Sequence, residues 1–358
     1  MIRELLTHPQ ELAWLPWAVQ YFFFIGIAAT GALVAVYLRL FHRGQYRLAE
    51  LITLAIAVTT GIVGPIALSA DLHQPGRILN FYLSFTPWSW MWIGAIIVPF
   101  FVVFLLAQFL LVLRENTDPD KLFKGFKALH WFNFNESKIL PWMGICLALF
   151  AFGLLLYTGK EVNIVQAQAI WHTPWLPWVL FFTALQTLPM LVKTWQRLAN
   201  ITENNACLTR IQFIALSGVL VTLVGWGLSE TPAGAAFRSL PEQGSVWFTI
   251  GLGLVVYWVS LMLFTVLTWT NKRTLSPYLY LLLSLMSLSL AWTIRWAILM
   301  QAQTLPKYNI FINPYHLSWG FDGALGIIST FGLWITLLII VWSLLNDRWF
   351  TFKGAHHG

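Results

Sequence analysis

Two cysteines, Cys146 and Cys207, are all that the 358 residues contain. The first lies inside an apolar run and the second in a basic connecting segment. Two separated thiols cannot ligate an iron–sulfur cluster or a structural zinc, and no disulfide is expected between them. Acids are scarce too: 14 Asp and Glu stand against 21 Lys and Arg, and charged residues make up only 10% of the chain. The resulting +7 is spread along the sequence rather than gathered into one patch, which argues against nucleic acid as a partner. Histidine is missing from the middle of every apolar run. His8, His42, His73, His130, His172, His316, His356 and His357 all fall elsewhere, so the paired axial ligands of a bis-histidine haem are absent.

What the chain has in abundance is apolar surface: 58% of residues, with 21 Trp and 27 Phe. No soluble domain hides that much, whereas a bilayer accepts it, so membrane lipids are the partner that composition itself implies. The class read from this is all-α, a polytopic integral membrane protein. Runs long enough to cross about 30 Å of hydrocarbon occur at roughly 16–38, 48–70, 88–113, 139–157, 175–192, 210–228, 246–268, 277–300 and 324–345. The first run follows Arg3 and Glu4 rather than a basic leader. It is too long for a signal-peptide core and no small-residue cleavage site follows, so it is expected to be retained. Nothing linker-like divides residues 1–358, and one membrane domain is the simplest organisation.

Lysine and arginine concentrate on the cytoplasmic side of membrane proteins. Arg39, Arg43 and Arg47 lie between runs one and two, and Arg114, Lys121, Lys124, Lys127 and Lys138 between three and four. Lys193, Arg197, Arg210, Lys272, Arg273, Arg348 and Lys353 continue the alternation, against only Arg3, Arg77, Lys160, Arg238 and Lys307 on the opposite side. This predicts the N-terminus outside and the C-terminus inside. Asp118-Pro119 opens a stretch with Leu122, Phe126 and Leu129 on one face, read as an interfacial helix over about 118–136 on the cytoplasmic side. Leu15-Pro16-Trp17 and Leu176-Pro177-Trp178 begin the first and fifth spans from the same side. That pairing suggests a four-plus-four bundle repeat with a ninth helix appended.

Sorted by side, the polar residues near helix ends gather on the outer face: Gln20, Tyr21, Asp71, His73, Arg77, Tyr157, Lys160, Glu161, Arg295, His316 and Asp322. The inner halves of the spans are expected to carry no ionisable residue. Secondary transporters need such groups near the midplane, so a transporter is disfavoured. Each outer-face feature has a plain alternative: a solvated turn at Pro75-Gly76 for Asp71, His73 and Arg77, and an interfacial aromatic belt for the tyrosines and tryptophans. Arg295, inside an apolar run, costs several kcal/mol unless an acid or backbone carbonyls answer it; it is expected to serve catalysis with Asp71, His73 and Glu161, a purely structural ion pair being the alternative. A carboxylate, an imidazole, a tyrosine and a guanidinium at one membrane face suit a two-electron, two-proton quinol, whose oxidation needs hydrogen bonds to both oxygens and a nearby base. A passive anchor for a redox partner, with the polar cluster as docking surface, is the rival reading. Protons released at this face would leave on the side where electrons leave, making turnover electroneutral.

A set of motifs runs nearly end to end: His8-Pro9-Gln10, Trp14-Leu15-Pro16-Trp17-Ala18-Val19-Gln20-Tyr21, Ala70-Asp71-Leu72-His73-Gln74, Thr86-Pro87-Trp88-Ser89-Trp90, Tyr157-Thr158-Gly159, Arg295-Trp296, Gln303-Thr304-Leu305-Pro306-Lys307, Asn313-Pro314-Tyr315 and Thr330-Phe331-Gly332-Leu333-Trp334. With these the chain resembles the NrfD/polysulfide-reductase-type membrane subunits. The resemblance implies a haem-free subunit of the bacterial cytoplasmic membrane, without an iron–sulfur cluster of its own, that oxidises menaquinol. It would pass electrons to a ferredoxin-like iron–sulfur subunit, which feeds a molybdopterin catalytic subunit on the periplasmic side. It also implies that Tyr157 holds the quinone and that Asp71 and Glu161 carry protons. Relatives use a His and an Asn on the first helix, where this chain has Gln20 and Tyr21. Asp71, His73 and Arg77 would line the mouth of the pocket or dock the partner above it.

Overall fold

In the computed structural model, residues 12, 14–42, 45–72, 75–117, 135–201, 206–271, 275–305 and 315–346 are described. Nine helices among them are long and apolar enough to cross a membrane. They are α1 (Pro16–His42), α2 (Arg47–Asp71), α3 (Trp90–Asn116) and α4 (Glu136–Asn163). There follow α5, in two segments (Leu176–Leu185 and Thr187–Leu198), α6 (Ala206–Leu228), α7 (Ser245–Asn271), α8 (Pro277–Leu299) and α9 (Ala324–Asn346). His73 and residues 118–134 of the expected interfacial helix lie outside the described residues. We call the end of the bundle where α1 begins the upper end.

α1 packs against α2 and α4, and also against α5, α8 and α9. Most residues of α1 are buried, whereas most of those of α7 are not, so α7 sits at the rim of the bundle. Lipid tails are as apolar as leucine, so close approach and polar contacts hold such a bundle rather than hydrophobic burial. The small residues of α1 serve this: a Cβ on Gly31 would stand 2.9 Å from the Ala57 Cβ, and one on Gly64 of α2 would stand 3.3 Å from Ile25. In the first four helices α1 contacts α2, α2 contacts α3, α3 contacts α4 and α4 returns to α1. The same ring of neighbours recurs from α5 through α8, and α9 packs on α1 and α2.

Polar contacts cluster where the backbone would otherwise be least constrained. α5 breaks at Gln186, three residues before Pro189, which cannot donate an amide hydrogen bond. Gln186 Nε2 donates to the Ser287 carbonyl at 2.8 Å, and Ser287 Oγ donates back to Gln186 Oε1 at 2.5 Å. Thr194 Oγ1 continues the seam to the Tyr280 carbonyl of α8 at 2.9 Å. At the upper end, the Trp14 amide donates to Gln303 Oε1 and Gln303 Nε2 donates to the Trp14 carbonyl, both at 3.1 Å.

The lower end corrects one expectation. The helices reach further than hydropathy alone indicated, and their inner portions do carry buried charge. Arg39 of α1 pairs with Glu50 of α2 at 2.6 Å and with Glu115 of α3 at 2.7 Å, while Arg114 pairs with Glu136 of α4 at 2.5 Å. Lys193, assigned from sequence to a connecting loop, is 1% exposed inside α5 and donates to Thr209 Oγ1 of α6 at 2.8 Å. Cys207, likewise read as a loop residue, is buried in the first turn of α6 with its sulfur 3.5 Å from His42 Nε2.

Candidate functional site

Hydropathy ends the fourth run at Tyr157, yet the backbone stays helical to Asn163. Glu161 is therefore one helical turn above Tyr157 on the same face of α4, rather than in a loop. Asp71 is the last residue of α2 and approaches Glu161 closely enough for their charges to interact. Tyr21, in the second turn of α1, completes the group. Tyr157 stands between Tyr21 and Glu161, within interaction range of each. Three helices thus bring two phenols and two carboxyl groups into one run, from the buried Tyr21 up to the helix ends at Asp71 and Glu161.

The run is deep and incompletely satisfied. Tyr21 is 1% exposed and Tyr157 is 4% exposed. Among the described residues the Tyr21 hydroxyl and Glu161 Oε2 find no partner at ordinary hydrogen-bond distance, although Tyr157 lies near both. Buried polar atoms are normally paired, so a cluster of unpaired donors and acceptors at one place favours a ligand or water with matching oxygens.

A residue that sequence reasoning passed over sets the position of Tyr157. Gly94 of α3 lies directly against the Tyr157 ring, and a Cβ there would overlap three ring carbons. In the sequence, Gly94 is one more small residue in an apolar run. Only its contact across the helix pair marks it.

Of the other expected site residues, Gln20, Arg77 and Arg295 lie apart from this run. Successive residues of an α-helix point about 100° apart, so Gln20 and Tyr21 do not share a face. Gln20 lies on the face of Trp17 and Phe24, which contact α9: Trp17 Nε1 donates to Asp322 Oδ1 at 3.3 Å, and Phe24 packs against Phe331 and Trp334. Gln20 is fully buried with both amide atoms unpartnered among the described residues. Arg77 closes the short turn Pro75–Arg77 and is exposed.

Arg295 is answered by carbonyls rather than by an acid. Its Nε donates to the Phe22 carbonyl at 3.0 Å, Nη2 to the Leu180 carbonyl at 2.9 Å, and Nη1 to Thr183 Oγ1 at 3.1 Å and the Ala291 carbonyl at 2.9 Å. It is 1% exposed, and no carboxylate among the described residues pairs with it. Gly26 of α1 makes room, since a Cβ there would come within 2.9 Å of Nη2. Arg295 thus ties α8 to α1 and α5 beside the polar run. No group of three or more His, Cys, Asp or Glu among the described residues is placed to hold a metal ion.

Comparison with known proteins agrees with this architecture. The chain is 40% identical over 354 residues to a tetrathionate reductase subunit of Salmonella typhimurium, covering 97% of this chain and 96% of that one. Residues 4–307 match the family described as "Polysulphide reductase, NrfD". The match takes in the α1, α2, α3 and α4 positions that build the polar run, and the chain belongs to the NrfD family of membrane proteins.

Proposed function

We propose that this chain is the quinol-oxidising membrane subunit of a tetrathionate-reductase-like complex in a bacterial cytoplasmic membrane. The observation that carries the reading is the buried run Tyr21–Tyr157–Glu161–Asp71, two phenols and two carboxyl groups that interact along three helix ends. Bound menaquinol supplies two electrons and two protons. Tyr157 and Tyr21 offer hydroxyls that orient one oxygen, and Glu161, a turn above, accepts the two protons one after the other and hands each to Asp71 at the end of α2. The electrons leave toward a ferredoxin-like iron–sulfur subunit and a molybdopterin subunit seated on the upper end.

The basic-residue alternation supports an upper end facing outward, with the N-terminus outside and the C-terminus inside. The recurring ring of helix neighbours supports a four-plus-four repeat with α9 appended. Arg77 and His73, beyond the end of α2, would serve the mouth of the pocket or the partner above it.

The test separates quinol oxidation from catalysis elsewhere in the complex. Tyr157→Phe and Glu161→Gln are each expected to lower quinol-driven acceptor reduction about 10²-fold, the scale of a positioned proton-transfer group. Reduction driven by an artificial dye that bypasses this subunit should stay unchanged. Unimpaired quinol-driven rates in both variants would reduce the chain to a passive anchor.

A further inference from the structure

A second feature of the bundle lies apart from the polar run. Between α8 and α9 there is a cleft of about 790 Å³ to which neither α3 nor α4 contributes. Its floor is made of Ile56, Trp195 and Trp334, all buried, and its rims, Leu285 and Ile339, are 53% and 58% exposed. The lining along α8 runs from Leu281 to Thr293, about 18 Å at 1.5 Å per residue. That slightly exceeds the roughly 15 Å depth of one leaflet's hydrocarbon. Beginning in the second turn of α8 and flanked by exposed side chains, the cleft has about the depth of one leaflet and opens sideways. Such a shape suits flexible chains lying along the membrane normal.

The lower mouth identifies what the chains are attached to. Arg197 is one turn beyond Thr194 on the same face of α5, and Thr194 lines the cleft. The Arg197 side chain meets the hydroxyl of Tyr280, which is 5% exposed. No carboxylate among the described residues pairs with Arg197. A guanidinium at the lower helix end, with no acid among the described residues to answer it, matches the oxygens of a phosphate. We propose that the α8–α9 cleft holds an anionic phospholipid of the lower leaflet, with its acyl chains against Trp195, Trp334 and Leu288 and its phosphate on Arg197, which the Tyr280 hydroxyl holds in place. A quinone tail would suit the same apolar walls but brings no phosphate, so dependence on Arg197 distinguishes the two.

The experiment uses the full-length chain, exchanged in turn into vesicles of phosphatidylglycerol and of phosphatidylcholine, re-extracted in mild detergent and weighed by native mass spectrometry. Wild type is expected to keep phosphatidylglycerol in preference to phosphatidylcholine. Arg197→Gln should lower its retention roughly fivefold, the scale of one basic residue at an anionic surface. Ser289→Trp, which fills the cleft, should abolish it, and Leu282→Trp, on an exposed part of α8 outside the cleft, should not. Size-exclusion profiles show whether Ser289→Trp folds, and Arg197→Gln decides the matter if it does not. Equal retention of both lipids, retention indifferent to Arg197→Gln, or menaquinone in place of phospholipid would each overturn the assignment.

Discussion

Gly94 and Tyr157 occupy each other's space: the bare backbone of α3 is the surface on which the Tyr157 ring of α4 rests, and no side chain fits between them. The contact is made on the helix pair that carries Glu161, so it sets where the phenol points relative to Tyr21 of α1 and the carboxyl a turn higher.

On the proposed reading, Gly94→Ala should therefore impair quinol oxidation through Tyr157. A fall of about 10²-fold is expected, similar to that of Tyr157→Phe. The double variant should be no worse than either single one, since such non-additivity is the signature of two residues acting through one group. Multiplying effects in a double-mutant cycle would mean that Gly94 matters only for packing.

Arg295→Ala removes four hydrogen bonds from a charged donor group and leaves Thr183 and the helix carbonyls without it. Hydrogen bonds to charged groups contribute about 1.5–3 kcal/mol each, although such contributions do not simply sum. The expected result is a lower thermal midpoint in detergent and poorer assembly, with Arg295→Lys intermediate because it lacks the planar fork. Full assembly with selective loss of quinol-driven activity would instead assign Arg295 to the chemistry.

Arg39 answers two carboxylates at once, and Glu50 is the more deeply buried of them at 2% exposure. Removing one partner of a buried pair costs about 3–5 kcal/mol, because the charge left behind is uncompensated. Arg39→Ala should destabilise the α1–α2–α3 junction on that scale, and adding Glu50→Gln should restore part of the loss. Chemical denaturation in detergent reads both. A stable Arg39→Ala protein would show that water reaches the cluster.

The lower-end charges bear on energetics as well. Arg39 and Arg114 are ion-paired to their neighbours and Lys193 is hydrogen-bonded to Thr209, while the carboxyls of the polar run sit at the upper helix ends. Turnover in liposomes with a menaquinol analogue is expected to build no membrane potential. An uncoupler-sensitive signal from a potential-sensitive dye would place a proton path through the bundle.

The helices and their order could be read from hydropathy, because a span needs about twenty apolar residues and little else produces them. Their ends could not. The last turns of α4 hold Thr158, Lys160 and Glu161, which lower hydropathy without stopping the helix, so the sequence put Glu161 outside the element that aims it. Tyr157 and Glu161 were recognisable as residue types, and Asp71 by its place after α2. Gly94 was not, since a glycine in an apolar run carries no mark of what lies across from it. The partners of Arg295 were hidden for a related reason: the carbonyls of Phe22, Leu180 and Ala291 belong to the backbone, which is the same at every position.

The central place of α1 bears on the order in which the molecule is put together. α1 is synthesised first, yet the clasp between Trp14 and Gln303 joins residues 289 positions apart, and α5, α8 and α9 all lie against it. During synthesis α1 must wait in the bilayer with much of its surface against lipid until the last helices arrive. A chain released before α8 would lack both Arg295 and Gln303, leaving the Phe22 carbonyl, Gly26 and Trp14 of the upper part of the chain without those partners. Quality control that surveys unassembled membrane segments would find its target in the very helix on which the finished bundle is built.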